Sequence, residues 1–206
     1  MNRPHQHLIT TDLNFLHPTQ ITVGLRESAA KQLEWRKLKP QARKEFLALH
    51  WFPGILGPNN RTYIVDHHHL GLALLREGMQ QAKVLVLKDL SWLEPEFFWR
   101  VMDVHQWVHP YDGAGQRQSY AQVPDHLEAL QDDPYRSLAG ELRHAGGFAK
   151  DITPYSEFLW ADFLRVRIEA DRLQKNFDKA LQRALKLAHT QKARYLPGWS
   201  GNMLLD

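Results

Sequence analysis

Residues 62–71 read Thr-Tyr-Ile-Val-Asp-His-His-His-Leu-Gly, and this segment sets the architecture expected of the chain. The β-branched and aromatic residues at 62–65 predict a strand, and Gly-Leu-Ala-Leu-Leu-Arg-Glu at 71–77 predicts a helix. The Asp-His-His-His step then lies at a strand-to-helix corner, where the first amides of the helix have no partner within the helix. Such a corner attracts anions, so we expect a phosphate site there.

The three histidines have limited geometric options. If Asp66 is the N-cap, then His67, His68 and His69 occupy the first helical turn and point about 100° apart. They cannot converge on one metal ion, so no zinc site is expected from this run alone. The residues leave three interpretations open: a cap with packed or solvent-facing histidines, a phosphate site with neutral imidazoles, or metal ligation completed from elsewhere.

Composition describes an ordinary globular chain. Of its 206 residues, 43% are hydrophobic and 24% are charged. The sequence contains no run of 18 apolar residues, so it predicts no membrane helix. Residues 1–7 lack the apolar core of a signal peptide, so a cytoplasmic location is expected. The absence of cysteine excludes disulfides, thiolate metal sites and cysteine nucleophiles.

Positive charge is concentrated late in the chain. The formal net charge is +3, whereas residues 165–194 alone hold nine lysines and arginines against three acids. A basic helical face attracts nucleic acid electrostatically, so DNA is a possible partner of this C-terminal helix. A solvated face is the other interpretation.

The order of elements indicates an α+β chain with a small mixed sheet and a helical C-terminal half. Strands are expected at 20–23, 55–56, 62–65 and 83–87, with a turn at 57–60 that makes a hairpin. Helices are expected at 26–38, 40–50 and 71–77, from a Thr153 cap to 168, and along the stripe Phe177, Leu181, Ala184, Leu185 and Ala188. Residues 91–94 fit a capping box, but Pro95 indicates a short turn, so the helix proper is expected to begin near Glu94 and to run to about 107. The seven tryptophans are expected in the core.

These patterns divide the chain into three segments. Residues 1–107 form the sheet-containing domain that binds phosphate, residues 108–124 form a loop connection, and residues 125–206 form a helical extension packed on the domain.

Several charged residues outside the corner are candidate site residues. Glu27 follows the first strand and either accepts a proton from a substrate hydroxyl or complements the helix dipole. Lys31, one turn later, either neutralises a phosphate or pairs with Glu27. Lys150 and Asp151 follow two glycines and either close over a ligand or form an exposed turn. Asp162, within an apolar helix, is expected to pair with a structural arginine.

The chain resembles the ParB-like nuclease family of the ParB and sulfiredoxin superfamily. The similarity covers nearly all of the chain from about residue 17. The matching stretches are Thr-Val-Gly-Leu-Arg-Glu at 22–27, the histidine run at 67–69, Lys-Asp-Leu-Ser at 88–91, Pro-Tyr-Asp at 110–112, Asp-Pro-Tyr-Arg-Ser-Leu-Ala-Gly at 133–140, Gly-Gly-Phe-Ala-Lys-Asp at 146–151, Phe-Leu-Trp-Ala-Asp-Phe at 158–163 and Leu-Pro-Gly-Trp at 196–199.

The resemblance implies a ParB/sulfiredoxin-like domain that binds nucleotide phosphates at the corner. Relatives in the superfamily use ATP, ADP or CTP there. Carried over, His68 and His69 contact the phosphate, Asp66 is the corner aspartate, and Glu27 is the base. His67 stands in place of the usual glycine and Leu70 in place of the usual arginine, so a bidentate phosphate partner is missing.

Three functions follow as hypotheses. The first is nucleotide-dependent phosphoryl transfer or phosphate-ester hydrolysis, with Asp66, Glu27 and His68 catalytic, Asp66 the ligand of Mg²⁺, and His67, His68, His69, Arg26 and Lys31 binding the nucleotide or phosphorylated small molecule. The second is a nuclease or DNA-binding protein. The third is a binding module that kept the fold without the chemistry.

Overall fold

The computed structural model describes residues 7–201, which form two compact units. The first unit contains residues 7–112 and 116–132, and the second contains residues 113–115 and 133–201. Segment 116–132, which includes the end of the expected loop connection, therefore belongs to the sheet-containing unit. The N-terminal residues 1–6, on which the expectation of a cytoplasmic location partly rests, lie outside the described residues.

The first unit is built on a five-stranded mixed sheet, which confirms the predicted fold class. Its strand order is β1-β6-β4-β5-β2, with antiparallel β1–β6 and β4–β5 pairs and parallel β4–β6 and β2–β5 pairs. A separate parallel pair joins β3 to β7. The strands are β1 (His7–Asp12), β2 (Leu16–His17), β3 (Thr22–Val23), β4 (Phe52–Gly57), β5 (Arg61–Ile64), β6 (Gln81–Asp89) and β7 (Gln131–Asp132).

Four helices belong to the first unit: α1 (Leu25–Lys37), α2 (Pro40–Leu49), α3 (His68–Arg76) and α4 (Pro95–Val104). The predicted capping box at Ser91 is wrong, because the Ser91 N–H and hydroxyl both donate to the Asp89 carboxylate. The expected start of the helix near Glu94 is confirmed, because Glu94 precedes Pro95, the first residue of α4. The helix ends at Val104 and not at 107, since Gln106 has a φ of 57°.

The hairpin predicted around residues 57–60 is confirmed and places β5 beside β4. Side chains of β5 alternate between two cores. Ile64 packs in the core that includes residues of α3, whereas Tyr63 packs in the core that includes Phe98 of α4. Helix α3, which follows the corner, therefore packs on one face of the sheet, and α4 packs on the other.

The second unit is helical, with α5 (Pro134–His144), α6 (Ser156–Arg165), α7 (Ala170–Lys175) and α8 (Phe177–Ala188). The stripe predicted on α8 is confirmed by the buried Ala184 and Ala188 and by the packing of Phe177, Leu181 and Leu185. The cap predicted at Thr153 is wrong, because Tyr155 with a φ of 59° precedes α6.

The tryptophans are less uniformly buried than predicted. Trp35 and Trp160 lie in the cores, but Trp92 is 76% exposed and Trp51 is also exposed. Among residues 7–201, no helix is both long enough and apolar enough to span a bilayer.

Candidate functional site

The corner between β5 and α3 is organised around a left-handed residue. His67 precedes α3 with a φ of 64° and a ψ of 23°, so the predicted N-cap at Asp66 is wrong. The Asp66 carboxylate instead accepts a hydrogen bond from the His67 N–H at 2.6 Å. The side chain of Asp66 is 74% exposed and that of His67 is 41% exposed. These two residues form the solvent-facing part of the corner.

His68 points into the protein. Its Nε2 accepts a hydrogen bond from the Thr19 N–H at 3.1 Å, and the Thr19 hydroxyl donates to the Ile64 carbonyl at 2.9 Å. Accepting through Nε2 requires an unprotonated nitrogen there, so this imidazole is neutral with its proton on Nδ1. His68 therefore links the corner to the segment before β3 by a hydrogen bond.

His69 is hydrogen-bonded in the same way to the start of α1. Its Nε2 accepts from the Gly24 N–H at 3.1 Å, and its carbonyl accepts from the Ser28 hydroxyl at 3.1 Å. The same nitrogen lies 3.3 Å from Glu27 Oε2. Because one nitrogen cannot accept from Gly24 and donate to Glu27 at once, the two contacts compete, and the N–H directed at Nε2 assigns it the acceptor role.

The first turn of α1 carries the other candidate residues. Glu27 is 15% exposed, and its Oε1 lies 3.6 Å from Lys31 Nζ, which confirms the predicted pairing of these residues. Arg26 is exposed. The helix start is held by Asp132, whose carboxylate accepts from the Leu25 N–H at 2.9 Å. The structure therefore brings Glu27, Lys31 and His69 together where α1 begins.

Lys150 and Asp151 belong to the second unit. The Asp151 carboxylate accepts from the Thr153 N–H at 2.7 Å, and the hydrogen bonds from Thr153 lower the pKa of Asp151. Asp162 has the arginine partner expected for it, with Arg165 Nη1 2.5 Å from its Oδ1.

Sequence reasoning missed the residues that position the corner, namely Thr19, Gly24, Ser28 and Asp132. Thr19 lies 49 residues from His68, and Asp132 lies 107 residues from Leu25. No local spacing links residues so far apart in the sequence.

The described residues 7–201 contain no group of three or more His, Asp or Glu side chains that could hold a metal ion. The Asp66 carboxylate is exposed at the corner, whereas the Glu27 carboxylate lies on its inner side, 3.3 Å from His69 Nε2. Since Mg²⁺ is commonly held by one or two carboxylates plus substrate phosphates, an ion at Asp66 would need ligand oxygens to complete its coordination.

Residues 9–166 match the family described as "Putative ParB-like nuclease". The chain belongs to this ParB-like family. The matched region includes the corner, α1 and the first half of the second unit, and it confirms the resemblance drawn from the sequence.

A solved structure gives the same relationship. The crystal structure of protein Atu1540 from Agrobacterium tumefaciens is 45% identical to this ParB-like chain, with a TM-score of 0.91. The similarity covers 97% of this chain and 99% of that one. No curated protein gives a significant match.

Proposed function

We propose that this ParB-like chain binds the phosphates of a nucleotide or a phosphorylated small molecule at the Asp66–His69 corner. In this proposal it carries out phosphoryl transfer or phosphate-ester hydrolysis there. The observation that carries the proposal is the contact between the first residues of α1 and α3. His69 of α3 accepts from Gly24, the residue before α1, and Glu27 lies 3.3 Å from the same imidazole.

Two helix starts and a basic side chain favour an anion at this place. Each helix start carries a partial positive charge, and the hydrogen bond from the Gly24 N–H to His69 links the two. At α1 the Asp132 carboxylate already accepts one of the amides, that of Leu25. The His67 imidazole is 41% exposed, and its Nδ1 lies 3.1 Å from the Trp51 carbonyl, so Nε2, 4.0 Å from Asp66 Oδ2, is the ring nitrogen that a ligand would contact. Position 70 is Leu70 and supplies no charge, so Arg26 and Lys31 are the cationic side chains near this site.

Glu27 is the group best placed to act as general base. Its carboxylate is mostly buried at the start of α1, with Oε1 3.6 Å from Lys31 Nζ and Oε2 3.3 Å from His69 Nε2. In the proposed reaction Glu27 takes the proton of an attacking hydroxyl or water as the oxygen bonds to phosphorus and the leaving oxygen departs.

Asp66 and His68 take different parts in the proposal. The exposed Asp66 carboxylate would ligate Mg²⁺ together with phosphate oxygens of ATP, ADP or CTP. His68 is a positioning residue and not the catalytic residue expected from sequence, because its Nε2 faces the Thr19 amide.

The test pairs ligand binding with turnover. Wild-type protein with ATP, ADP, CTP or inorganic phosphate, each with Mg²⁺, is followed by thermal shift, and products are followed by phosphorus NMR. Glu27→Gln should keep the ligand-induced shift and lose about 10²- to 10⁴-fold in turnover. Glu34→Gln, an exposed acid on the same helix, should change neither.

Each unfavourable outcome has a distinct meaning. If no phosphate ligand stabilises the wild type, the proposed site is wrong. Binding without turnover in the wild type would leave a module that retains the fold without the chemistry. Equal turnover in Glu27→Gln and wild type would remove Glu27 as the base.

A second candidate function is DNA binding or cleavage. It is favoured by the family description and by an exposed basic face on α8, where Lys179, Arg183 and Lys186 recur at intervals of four and three residues. Such spacing places the three cations on one side of a helix, as phosphate-backbone contacts require.

A further inference from the structure

A half-enclosed cavity of about 200 Å³ lies in the first unit, on the face of the sheet opposite α3. It is bounded by the turn after β4, the start of α4 and the segment 120–125. Tyr63 lines it from β5, whereas the next residue, Ile64, packs in the core shared with α3. The cavity is therefore separate from the corner proposed for phosphate.

Aromatic rings form the wall of this cavity. The rings of Trp99 and Tyr120 are within 11° of parallel, with centroids 5.9 Å apart. Trp99 is braced edge-on by Tyr63 at 5.4 Å and by Phe98 at 5.2 Å. Because these contacts fix the Trp99 ring, the aromatic wall is preorganised and a planar ligand would not have to order it on binding.

The polar groups around the cavity are balanced in charge. Arg61 Nη1 lies 2.8 Å from Asp125 Oδ1, and both residues line the cavity. Beside Tyr120, Arg117 pairs with Asp103 and also donates to the Tyr120 hydroxyl at 3.2 Å. Two cations face two carboxylates, so there is no net charge to hold a phosphate. The rim instead offers both donors and acceptors to a neutral polar ligand.

The size of the cavity limits the ligand to one ring system. A cavity of about 150 Å³ accommodates benzene, while drug-sized ligands need about 300 Å³ or more. We infer that this cavity binds a neutral, planar heteroaromatic ring of the nucleobase type, stacked on the aromatic wall with its polar edge toward Arg61 and Asp125. This site goes beyond the proposed phosphate site and does not depend on it.

The test uses adenosine and cytidine, which carry the ring without a phosphate. Each is titrated into the wild type, Tyr120→Ala, Tyr120→Phe and Trp92→Ala by ligand-observed NMR. Saturable binding is expected, weakened about 5- to 100-fold in Tyr120→Ala, because stacking of one base on an aromatic residue has that effect. Tyr120→Phe keeps the ring and should bind nearly as the wild type does. Trp92→Ala removes an exposed tryptophan outside the cavity and should bind unchanged.

A wild-type measurement covers the case in which Tyr120→Ala does not fold. The indole N–H resonance of Trp99 should shift during the titration, while that of Trp92 should not. The inference is overturned if neither nucleoside binds saturably up to about 10 mM, or if the Trp99 resonance does not move. Equal affinity of folded Tyr120→Ala and wild type would also overturn it.

The source of the ring is resolved by a further arm with an eight-residue single-stranded DNA and its abasic counterpart. If the natural source is a nucleic-acid strand, Tyr120→Ala should weaken binding of the normal strand and leave the abasic strand unchanged. If the source is a free nucleoside or nucleotide, only nucleoside binding should respond. Either result supports the inferred ring site.

Discussion

Two of the three consecutive histidines use the same atom for the same purpose. Nε2 of His68 and Nε2 of His69 each accept a backbone N–H, from Thr19 and Gly24 respectively. Buried amides need such acceptors, since an unmet one costs free energy comparable to a lost hydrogen bond. The imidazoles therefore hold the start of α3 against the segment from residue 19 to α1, and His67 alone of the three has an exposed side chain.

This role predicts a stability effect specific to the inward histidines. His69→Leu introduces an apolar side chain of similar size and leaves the Gly24 N–H without its acceptor, which should lower the free energy of unfolding by about 1–3 kcal/mol. Urea denaturation measures it. His67→Asn is the matched control, because asparagine tolerates the left-handed backbone of this position, and it should stay within about 0.5 kcal/mol. Equal losses in the two variants would contradict the structural role of His69.

His17 predicts an acid-sensitive stability. Burial, together with the nearby Arg61, lowers the pKa of His17 from its ordinary 6.5, with Asp125 opposing the shift. The unfolded chain then takes up the proton at a higher pH than the folded chain does. Stability from this group is present above about pH 6.5 and is lost as the pH falls below it. Urea midpoints from pH 8 to pH 5 should fall less steeply in His17→Gln, and an unchanged slope would remove His17 as a source.

At the scale of elements, α5 and α6 are joined by an ion pair within the second unit. The buried Asp133 caps α5 by accepting from the Tyr135 N–H at 3.0 Å, and its other oxygen lies 2.5 Å from Arg165 Nη2 of α6. Burial raises the pKa of Asp133, while Arg165 and the amides of α5 oppose that rise. The pair is thus a poor source of net stability but costly to break.

Asp133→Ala should lower the free energy of unfolding by about 3 kcal/mol, because it removes a cap and leaves the mostly buried Arg165 with less compensation. Asp162 also pairs with Arg165 but its side chain is 51% exposed. Asp162→Ala should therefore cost only about 1 kcal/mol or less. Denaturant unfolding of the two variants compares them, and similar losses would show that burial does not decide the effect.

The basic face of α8 makes an independent prediction about DNA. Replacing Lys179, Arg183 and Lys186 by glutamine should weaken duplex DNA binding and reduce the slope of log affinity against log salt by up to about 0.9 per lost phosphate contact. Glutamine at Lys37, Lys39 and Lys44, three exposed lysines of the first unit, removes the same charge and controls for the general effect. Equal changes in both triple variants would exclude a specific role for α8.

Elements with a strong local pattern were predictable from the sequence, and helix caps were not. The hairpin, β6 and the apolar stripe of α8 follow from periodicity and turn residues. The caps at Ser91, Thr153 and Asp66 were mispredicted, because a short polar side chain can satisfy several nearby amides and the choice depends on the chain's path. In the structure the Asp89 carboxylate accepts the hydrogen bond of the Ser91 N–H, and the Asp151 carboxylate accepts that of the Thr153 N–H.

Long-range partners account for what sequence reasoning missed at the site. Strand β1 was not predicted, because it is stabilised by pairing with β6, which lies more than 60 residues away in the sequence. The acceptors for the Thr19 and Gly24 amides are 49 and 45 residues away in sequence. Glu27 and Lys31, by contrast, are four residues apart on one helix, and their pairing followed directly from that spacing.

At the scale of the whole molecule, similarity extends over nearly the full length of this chain and of protein Atu1540. Both compact units are therefore shared features, and the candidate sites separate between them. The corner and the aromatic cavity belong to the first unit, whereas the basic face of α8 belongs to the second. Phosphate, a planar ring and a DNA backbone can be tested independently with phosphate, nucleosides and duplex DNA.

The most direct measurement of the central proposal is a backbone amide NMR titration of the wild type with ADP and Mg²⁺. We predict saturable shifts at residues 67–70 and 25–28, the starts of α3 and α1, and similar shifts at 67–70 with inorganic phosphate alone. No saturable change at these amides with ADP, ATP, CTP or phosphate would contradict the account, as would saturable changes confined to other parts of the chain.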